Sequence, residues 1–399
     1  MALNSIAFNL SRSFGPALGG LIVASAGVSA AFAINAVSYV GLIVAVFFWK
    51  SPGTSANALP REAIGPALVS GLRYVAMSPN ILAVLLRGFV LGFSAIIVLA
   101  LLPVKAAALP EGGPLTYGIL LGAFGVGAVG GALLSARLQQ QLKLETIVRL
   151  AFVGFAINSL VMAFSSSAVL IGIGLAFGGA SWVLALSLFN ASVQLASPRW
   201  VVGRALSLYQ TATFGGMALG SWLWGAIAEG VGLAAALLVA AFVMVAGAVI
   251  GMWRPLPQRT TLDLDPLNRW QTPRVEFDVE PRSGPVMIEI TYKIRPENVP
   301  AFMRVMTERQ RIRRRDGARR WRLMRDLANA NLWTETYETP TWTEYVRHNL
   351  RLTKADANVS EQLRALHDSE DPPAVRRLIE RPPAWLRAVQ APAADIGPH

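Results

Sequence analysis

The stretch "SRSFGPALGG", Ser11 to Gly20, places one arginine, one proline and three glycines inside an otherwise apolar segment. Glycine and proline usually mark the ends of helices. In lipid, however, small residues let the backbones of neighbouring helices approach closely. Pro16 also removes one helical hydrogen bond and can bend the helix. The stretch therefore predicts a membrane helix that packs tightly against a neighbour.

Long apolar runs recur through the first 254 residues. A helix needs about 20 residues to span a bilayer, and it alone satisfies its own backbone polar groups there. The chain is 53% hydrophobic and 15% charged, and it has no cysteine, which excludes disulfides and thiolate metal sites. We predict an all-α polytopic membrane bundle over residues 1–254. Its eight spans lie at approximately 5–26, 28–49, 80–104, 115–137, 145–166, 168–196, 203–228 and 231–253.

The charged residues orient this bundle. Loops 2–3, 4–5 and 6–7 and the exit from the last span carry nine basic residues, and the opposite loops carry one. Cytoplasmic loops are enriched in Lys and Arg, so both termini are predicted to be cytoplasmic. The nine are Lys50, Arg61, Arg73, Arg137, Lys143, Arg149, Arg199, Arg204 and Arg254, against Lys105.

The opening stretch has a counterpart about 200 residues downstream. "SFGPALGGLIVASAGVSAAF", from Ser13, aligns with "TFGGMALGSWLWGAIAEGVG", from Thr213, so that Gly15 matches Gly215 and Gly20 matches Gly220. The two stretches open spans one and seven, which gives a repeat of six helices, the architecture of two-halved secondary transporters. On this count four spans of a twelve-helix fold are expected before Met1, with 1–50 a remnant of the first half and 80–254 the second half. The alternative is a chance likeness between glycine-rich helices.

These residues resemble the fifth-helix motif of the major facilitator superfamily, with Gly15, Pro16, Gly19 and Gly20 at the motif positions. "ALNSIAFNLSRSFGPALGG" and "GRALSLYQTATFGGMALGSWLWGAIA" are similar to the enterobactin-exporter-like branch, whose larger members are transmembrane secretion effectors. The resemblance implies a secondary active transporter of the bacterial inner membrane. It implies proton-coupled export of a small organic molecule, siderophore-like or drug-like, by alternating access between two halves that meet at this helix.

Two arginines, Arg12 and Arg87, lie within predicted spans, where a charge costs about 2.5–3.5 kcal/mol and is usually functional or paired. No span interior contains Asp or Glu, since Glu145 falls beside a loop, so the coupling carboxylate is expected on the missing helices. A neutral polar cavity with two arginines is therefore predicted. For each amide or hydroxyl the alternative is an interhelical hydrogen bond. The further cavity candidates are Asn9, Asn35, Asn158, Asn190, Tyr209 and Gln210.

The remaining chain is charged and reads as a separate cytoplasmic domain. Residues 255–284 are predicted to be a linker, 285–385 a domain and 386–399 a tail. "VMIEITYKI" alternates like a strand, and a helix, two strands and one continuous helix beginning after Thr341 follow it. This order suggests a small ferredoxin-like α+β unit.

That pattern resembles the antibiotic-biosynthesis-monooxygenase-like domains, which pair into dimers. Such domains often carry histidines where Tyr345 and Asn349 stand here, and His348 is one place away. We therefore expect no enzyme activity, no cofactor and no metal site. The alternatives are a transport-inactive scaffold and a membrane-anchored enzyme. The expected partners are a small-molecule substrate, the lipid bilayer and a second copy of the chain, with no nucleic acid.

Overall fold

The computed structural model forms two compact units, each built from several stretches of chain. The helical unit comprises Met1–Ala56, Ser78–Ser197 and Val202–Thr261. The sheet unit comprises Asn57–Met77, Pro198–Val201 and Leu262–His399. The structure describes residues 22, 29–30, 32–49, 59–60, 62–110, 112–253, 255–256, 263–267, 270, 272–273, 275–276 and 279–380.

The helical unit consists of long apolar helices. In the part of the unit that the structure describes, five helices are long and apolar enough to cross a membrane. A shorter apolar helix, α1 (Phe32–Phe48), precedes them. Helix α2 (Ile64–Ala76) belongs to the sheet unit. The five are α3 (Pro79–Ala107), α4 (Pro114–Gln141), α5 (Leu144–Phe164), α6 (Ala168–Leu195) and α8 (Leu233–Trp253), and α7 (Val202–Val231) completes the set.

The five span candidates match the third to sixth and the eighth predicted spans, and they confirm a polytopic helical membrane protein. Helices α1 and α7 lie at the second and seventh predicted spans but are not among the five. The first span and its glycine motif lie outside the described residues. The twelve-helix count of the complete transporter stays a prediction. Helix α3 packs against α7, α4 against α6, and α5 against both α6 and α8.

A four-stranded antiparallel sheet forms the centre of the sheet unit, in the order β2-β3-β1-β4. In β1, alternate side chains from Val286 to Tyr292 are buried, as its alternating sequence predicts. In register, Ile288 lies opposite Tyr337 of β3 and Arg377 of β4. The strands are β1 (Val286–Lys293), β2 (Arg319–Arg325), β3 (Leu332–Thr339) and β4 (Ala374–Ile379).

Three helices accompany the sheet: α9 (Val299–Arg315), α10 (Trp342–Leu350) and α11 (Lys354–Leu366). The apolar side of α9, including Phe302 and Met306, enters the core. Thr341 caps α10 by accepting a hydrogen bond from the Glu344 amide, as its position predicts.

The prediction of one continuous helix after Thr341 is wrong. Thr353 begins a new helix, because its hydroxyl and the Asp356 carboxylate form a capping box. The backbone between the two helices also pairs with an earlier segment, since the Leu267 amide donates to the Leu352 carbonyl. Strand β4 was not predicted, because "AVRRLI" shows no alternation of apolar and polar residues.

The sheet unit also includes stretches that the sequence assigns to loops and to the linker. The Tyr74 ring of α2 lies 5.4 Å from the Trp200 ring, and the Arg351 guanidinium lies 4.3 Å above Trp200. Arg351 also forms an ion pair with Glu62 at 2.9 Å. These contacts hold residues 62–77 and 198–201 against the body of the unit.

Candidate functional site

A buried ion pair joins two helices of the helical unit. Arg87, the ninth residue of α3, donates from Nη1 to Oε2 of Glu145, the second residue of α5, at 2.6 Å. The side chains are 7% and 10% exposed. The Leu256 backbone amide, just beyond α8, donates to the same oxygen at 2.8 Å. One carboxylate therefore connects α3, α5 and the chain that leaves α8.

Helix α8 leaves room for this pair at Gly251. A Cβ atom added there would collide with Oε1 of Glu145 and lie 2.8 Å from Nη2 of Arg87. Arg149, one turn along α5, lies 3.8 Å from Oε1. The described part of the bundle thus holds a buried carboxylate, whereas the sequence analysis placed Glu145 beside a loop and expected only neutral groups with the arginines.

Small residues bring α3 and α7 together. A Cβ atom at Gly216 would lie 2.5 Å from the Phe89 carbonyl oxygen, and one at Gly88 would lie 2.8 Å from Oγ1 of Thr213. Gly92 and Gly220 are equally close to the opposite backbone. Each helix therefore contributes two glycines four residues apart, the spacing typical of close membrane-helix contacts.

The two glycines of the predicted downstream motif, Gly215 and Gly220, lie on different faces of α7. A Cβ atom at Gly220 would meet the Phe93 backbone, whereas one at Gly215 would meet no other described element within 4 Å. The adjacent Gly216 makes the contact instead. Gly15, Pro16, Gly19 and Gly20 lie outside the described residues.

Asn158 of α5 is fully buried and faces two glycines of α6. Its Oδ1 and Nδ2 lie 3.0 and 2.7 Å from the positions of a Cβ at Gly174 and Gly178. Neither amide atom has a hydrogen-bond partner among the described residues. The space left by the glycines therefore holds a polar group whose hydrogen bonds are unmade in this conformation.

The other candidates divide between interior and surface. Tyr209 is buried, and its hydroxyl donates to the Leu186 carbonyl at 3.5 Å. Asn190 is half-buried and accepts a hydrogen bond from Gln194 of its own helix. Gln210 and Asn35 are exposed. Asn9 and Arg12 lie outside the described residues.

A cavity of about 460 Å³ opens at the opposite end of the helical unit from Glu145, where α4 and α6 begin. The two ends are separated by the length of α5, roughly 30 Å at 1.5 Å per residue. None of the predicted substrate-cavity residues that the structure describes lines it, and the sequence carried no signal for it. Its walls include Leu109, Thr116, Ile119, Ser166 and Val169.

The interior of the sheet unit holds a second polar cluster. Glu335 is fully buried and accepts hydrogen bonds from Tyr292, Arg309, Arg313 and Trp321 at 2.9–3.4 Å. Burial opposes its ionisation, but the two arginines outweigh that effect and lower the pKa of Glu335. His348 is buried beside Arg313, at 2.8 Å. Burial, reinforced by Arg313, lowers the pKa of His348 well below its ordinary value, so the ring is neutral near pH 7.

Comparison with known proteins identifies the family of the chain. The model of the transmembrane secretion effector family matches residues 1–383. The chain belongs to that family. Its members are membrane transport proteins of the major facilitator superfamily, so the superfamily membership predicted from the glycine motif is confirmed.

A curated relative agrees with this assignment. The chain is similar to the multidrug efflux pump Tap of Mycolicibacterium fortuitum, with 25% identity over 268 residues. The alignment covers 64% of this chain and 63% of the relative, so the chain spans somewhat under two thirds of that protein's length.

Proposed function

We propose that the protein is a secondary active exporter of a small, drug-like or siderophore-like organic molecule, working by alternating access. The observation that carries the proposal is the family match over residues 1–383, together with the similarity to an efflux pump. The close α3–α7 contact and the buried polar groups support it, because a transporter needs helices that slide and polar sites within the membrane.

We further propose that Glu145 is a proton-coupling carboxylate. It is the one buried acidic residue in the described part of the helical unit. The charged groups that face it are Arg87 of α3 and Arg149 of its own helix. Protonation of Glu145 would remove its attraction to Arg87 and loosen the connection between α3 and α5, which is the kind of change that couples a proton to a conformational step.

Everted membrane vesicles test the proposal, with ethidium as the probe. A proton gradient, acidic inside, is expected to drive ethidium into vesicles that contain the chain, and an uncoupler is expected to abolish the uptake. Glu145→Gln is expected to remove the gradient-driven component, whereas Glu229→Gln, an exposed acid on α7, is expected to leave it unchanged.

The outcomes separate the two proposals. Gradient-driven uptake that survives in Glu145→Gln would reject the role of Glu145 but keep the exporter. A chain that inserts and moves neither ethidium nor a panel of amphipathic drugs would favour a membrane scaffold.

For the sheet unit we propose a ferredoxin-like, monooxygenase-like domain that lies in the cytoplasm and pairs with a second copy. The strand order β2-β3-β1-β4 supports the fold. The absence of a metal cluster among the described residues carries no weight against enzyme activity. A non-enzymatic role rests instead on Tyr345 and Asn349, which stand where the resembling domains often carry histidines. Cross-linking of the full chain in bacterial inner membranes tests the dimer.

A further inference from the structure

The sheet unit contains a cavity of about 350 Å³ between α11 and the strands β1 and β4. This volume lies at the lower end of the range for small-molecule sites, about 300–1,000 Å³. The apolar part of its wall includes Ile290, Leu363 and Val375. Polar side chains, Tyr292, Arg309 and Ser360 among them, also reach it.

The buried cluster next to this cavity carries an excess of positive charge. Arg309 and Arg313 share one carboxylate, Glu335, at 3.3 and 3.4 Å. His348 is neutral near pH 7 for the reasons given above, and Tyr292 keeps its proton because burial raises its pKa. Two guanidinium groups therefore face one carboxylate, in a place where an unmatched charge is costly.

Arg309 connects the cluster to the cavity. Its Nε donates to Glu335 and its Nη1 donates to Ser360 at 3.0 Å. Its Nη2 has no hydrogen-bond partner among the described residues. The side chain is 12% exposed and forms part of the cavity wall. Arg309 thus brings part of the unmatched charge to the wall of the cavity.

Two exposed residues of opposite charge, Glu361 and Arg364, also line the cavity, and their charges offset each other. The excess is therefore a single positive charge shared by Arg309 and Arg313, and Arg309 is the member of the pair that lines the cavity.

We propose that this cavity is a binding site for a small amphipathic organic anion with one negative charge, such as an aromatic or aliphatic monocarboxylate. The carboxylate would accept hydrogen bonds from Arg309 and from Ser360 or Arg364, and the apolar body would lie against Ile290, Leu363 and Val375. One excess charge and an apolar wall favour a monoanion over a phosphate-rich ligand. The site goes beyond the proposed transport function and does not depend on it.

The test measures binding to the full chain in neutral-lipid nanodiscs by equilibrium dialysis, with empty nanodiscs as background. The probe is 2-naphthoate, and its neutral counterpart of the same shape is 2-naphthamide. We expect saturable binding of the naphthoate and at least 10-fold weaker binding of the amide, because charge-assisted hydrogen bonds to a buried guanidinium are lost.

Two pairs of variants locate the site. Ala357 lines the cavity and Ala365 of the same helix does not, so Ala357→Phe should abolish binding and Ala365→Phe should leave it unchanged. Arg364→Met should weaken binding about 3- to 10-fold, an effect of the size expected for one exposed charged partner. The exposed Arg304 on α9 provides the control, Arg304→Met.

Equal binding of the acid and the amide would overturn the proposal, because the charge would then play no part. Unchanged binding in Ala357→Phe would overturn it by placing the ligand elsewhere, and so would a lack of saturable naphthoate binding at millimolar concentration. Thermal unfolding of each variant shows whether a loss of binding reflects a loss of fold. If Ala357→Phe unfolds, the comparison of naphthoate with naphthamide and the binding of naphthoate to Arg364→Met test the proposal. Unchanged binding in Arg364→Met would then overturn it.

Discussion

Glu145 accepts hydrogen bonds from Arg87 and from the Leu256 amide at one end of the helical unit. An isolated charge inside a membrane helix bundle costs free energy, and each member of the ion pair offsets that cost for the other. Removal of one partner leaves the other charge less well compensated, whereas removal of both leaves an apolar contact.

This asymmetry gives a double-mutant prediction. Glu145→Leu and Arg87→Met should each destabilise the detergent-solubilised chain by about 3–5 kcal/mol, the usual cost of breaking a buried pair from one side. The double variant should be less destabilised than either single variant. Thermal unfolding followed by size-exclusion chromatography measures the three values. Strictly additive losses would show that the pair contributes no coupling energy.

His348 shows the same principle in the sheet unit, outside the membrane. Its pKa is lowered in the folded state by burial and by Arg313. Below about pH 6.5, the ordinary pKa of histidine, the unfolded chain therefore binds a proton that the folded chain does not. Stability is at its full value above that pH and falls as the pH decreases.

We expect the sheet unit to lose up to about 1.4 kcal/mol per pH unit from this residue below pH 6.5. His348→Gln should flatten the dependence of stability on pH between pH 6.5 and pH 5, because the glutamine amide is polar but does not titrate there. His367→Gln, at a less buried histidine whose pKa is also lowered, should flatten it less. Hydrogen exchange of the β1 and β3 amides measures the slope, and an identical slope in wild type and His348→Gln would contradict the assignment.

At the scale of elements, the α3–α7 contact depends on which face of α7 carries its glycines. Gly215 and Gly216 are adjacent in sequence but point in different directions. A side chain at Gly216 meets the Phe89 backbone, and one at Gly215 meets nothing among the described residues. The pair therefore forms a matched experiment on helix packing.

Gly216→Leu is expected to abolish ethidium export and to lower the stability of the chain by about 3 kcal/mol or more, since overpacking against backbone cannot relax through a side chain. Gly215→Leu is expected to change stability by less than about 0.5 kcal/mol. Both are compared at equal membrane abundance by immunoblot. Equal effects of the two substitutions would show that helix α7 contacts α3 through another face.

At the scale of the whole molecule, the orientation in the membrane is a prediction from the loop charges. The absence of cysteine makes each introduced thiol unique in the chain. Gly113→Cys lies between α3 and α4, and Ser369→Cys lies in the sheet unit.

In intact cells, a membrane-impermeant maleimide is expected to label Gly113→Cys and not Ser369→Cys, because the basic loops and the C-terminus are predicted to be cytoplasmic. Everted vesicles should give the reverse pattern, which serves as the control. Labelling of Ser369→Cys in intact cells would reverse the proposed orientation.

The sequence by itself determined the five membrane-span helices α3 to α6 and α8, the strands β1 to β3 and the cap at Thr341. Apolar runs, periodicity and capping residues act within a few neighbours along the chain. The sequence did not predict that a new helix begins after Thr353. Part of that break is the hydrogen bond between Leu352 and Leu267, which is far away in sequence. Only the tertiary structure brought Arg87 to Glu145 and gathered Arg309, Arg313 and His348 around Glu335. Such partners lie tens of residues apart, so packing across the whole unit selects them and no local pattern encodes them.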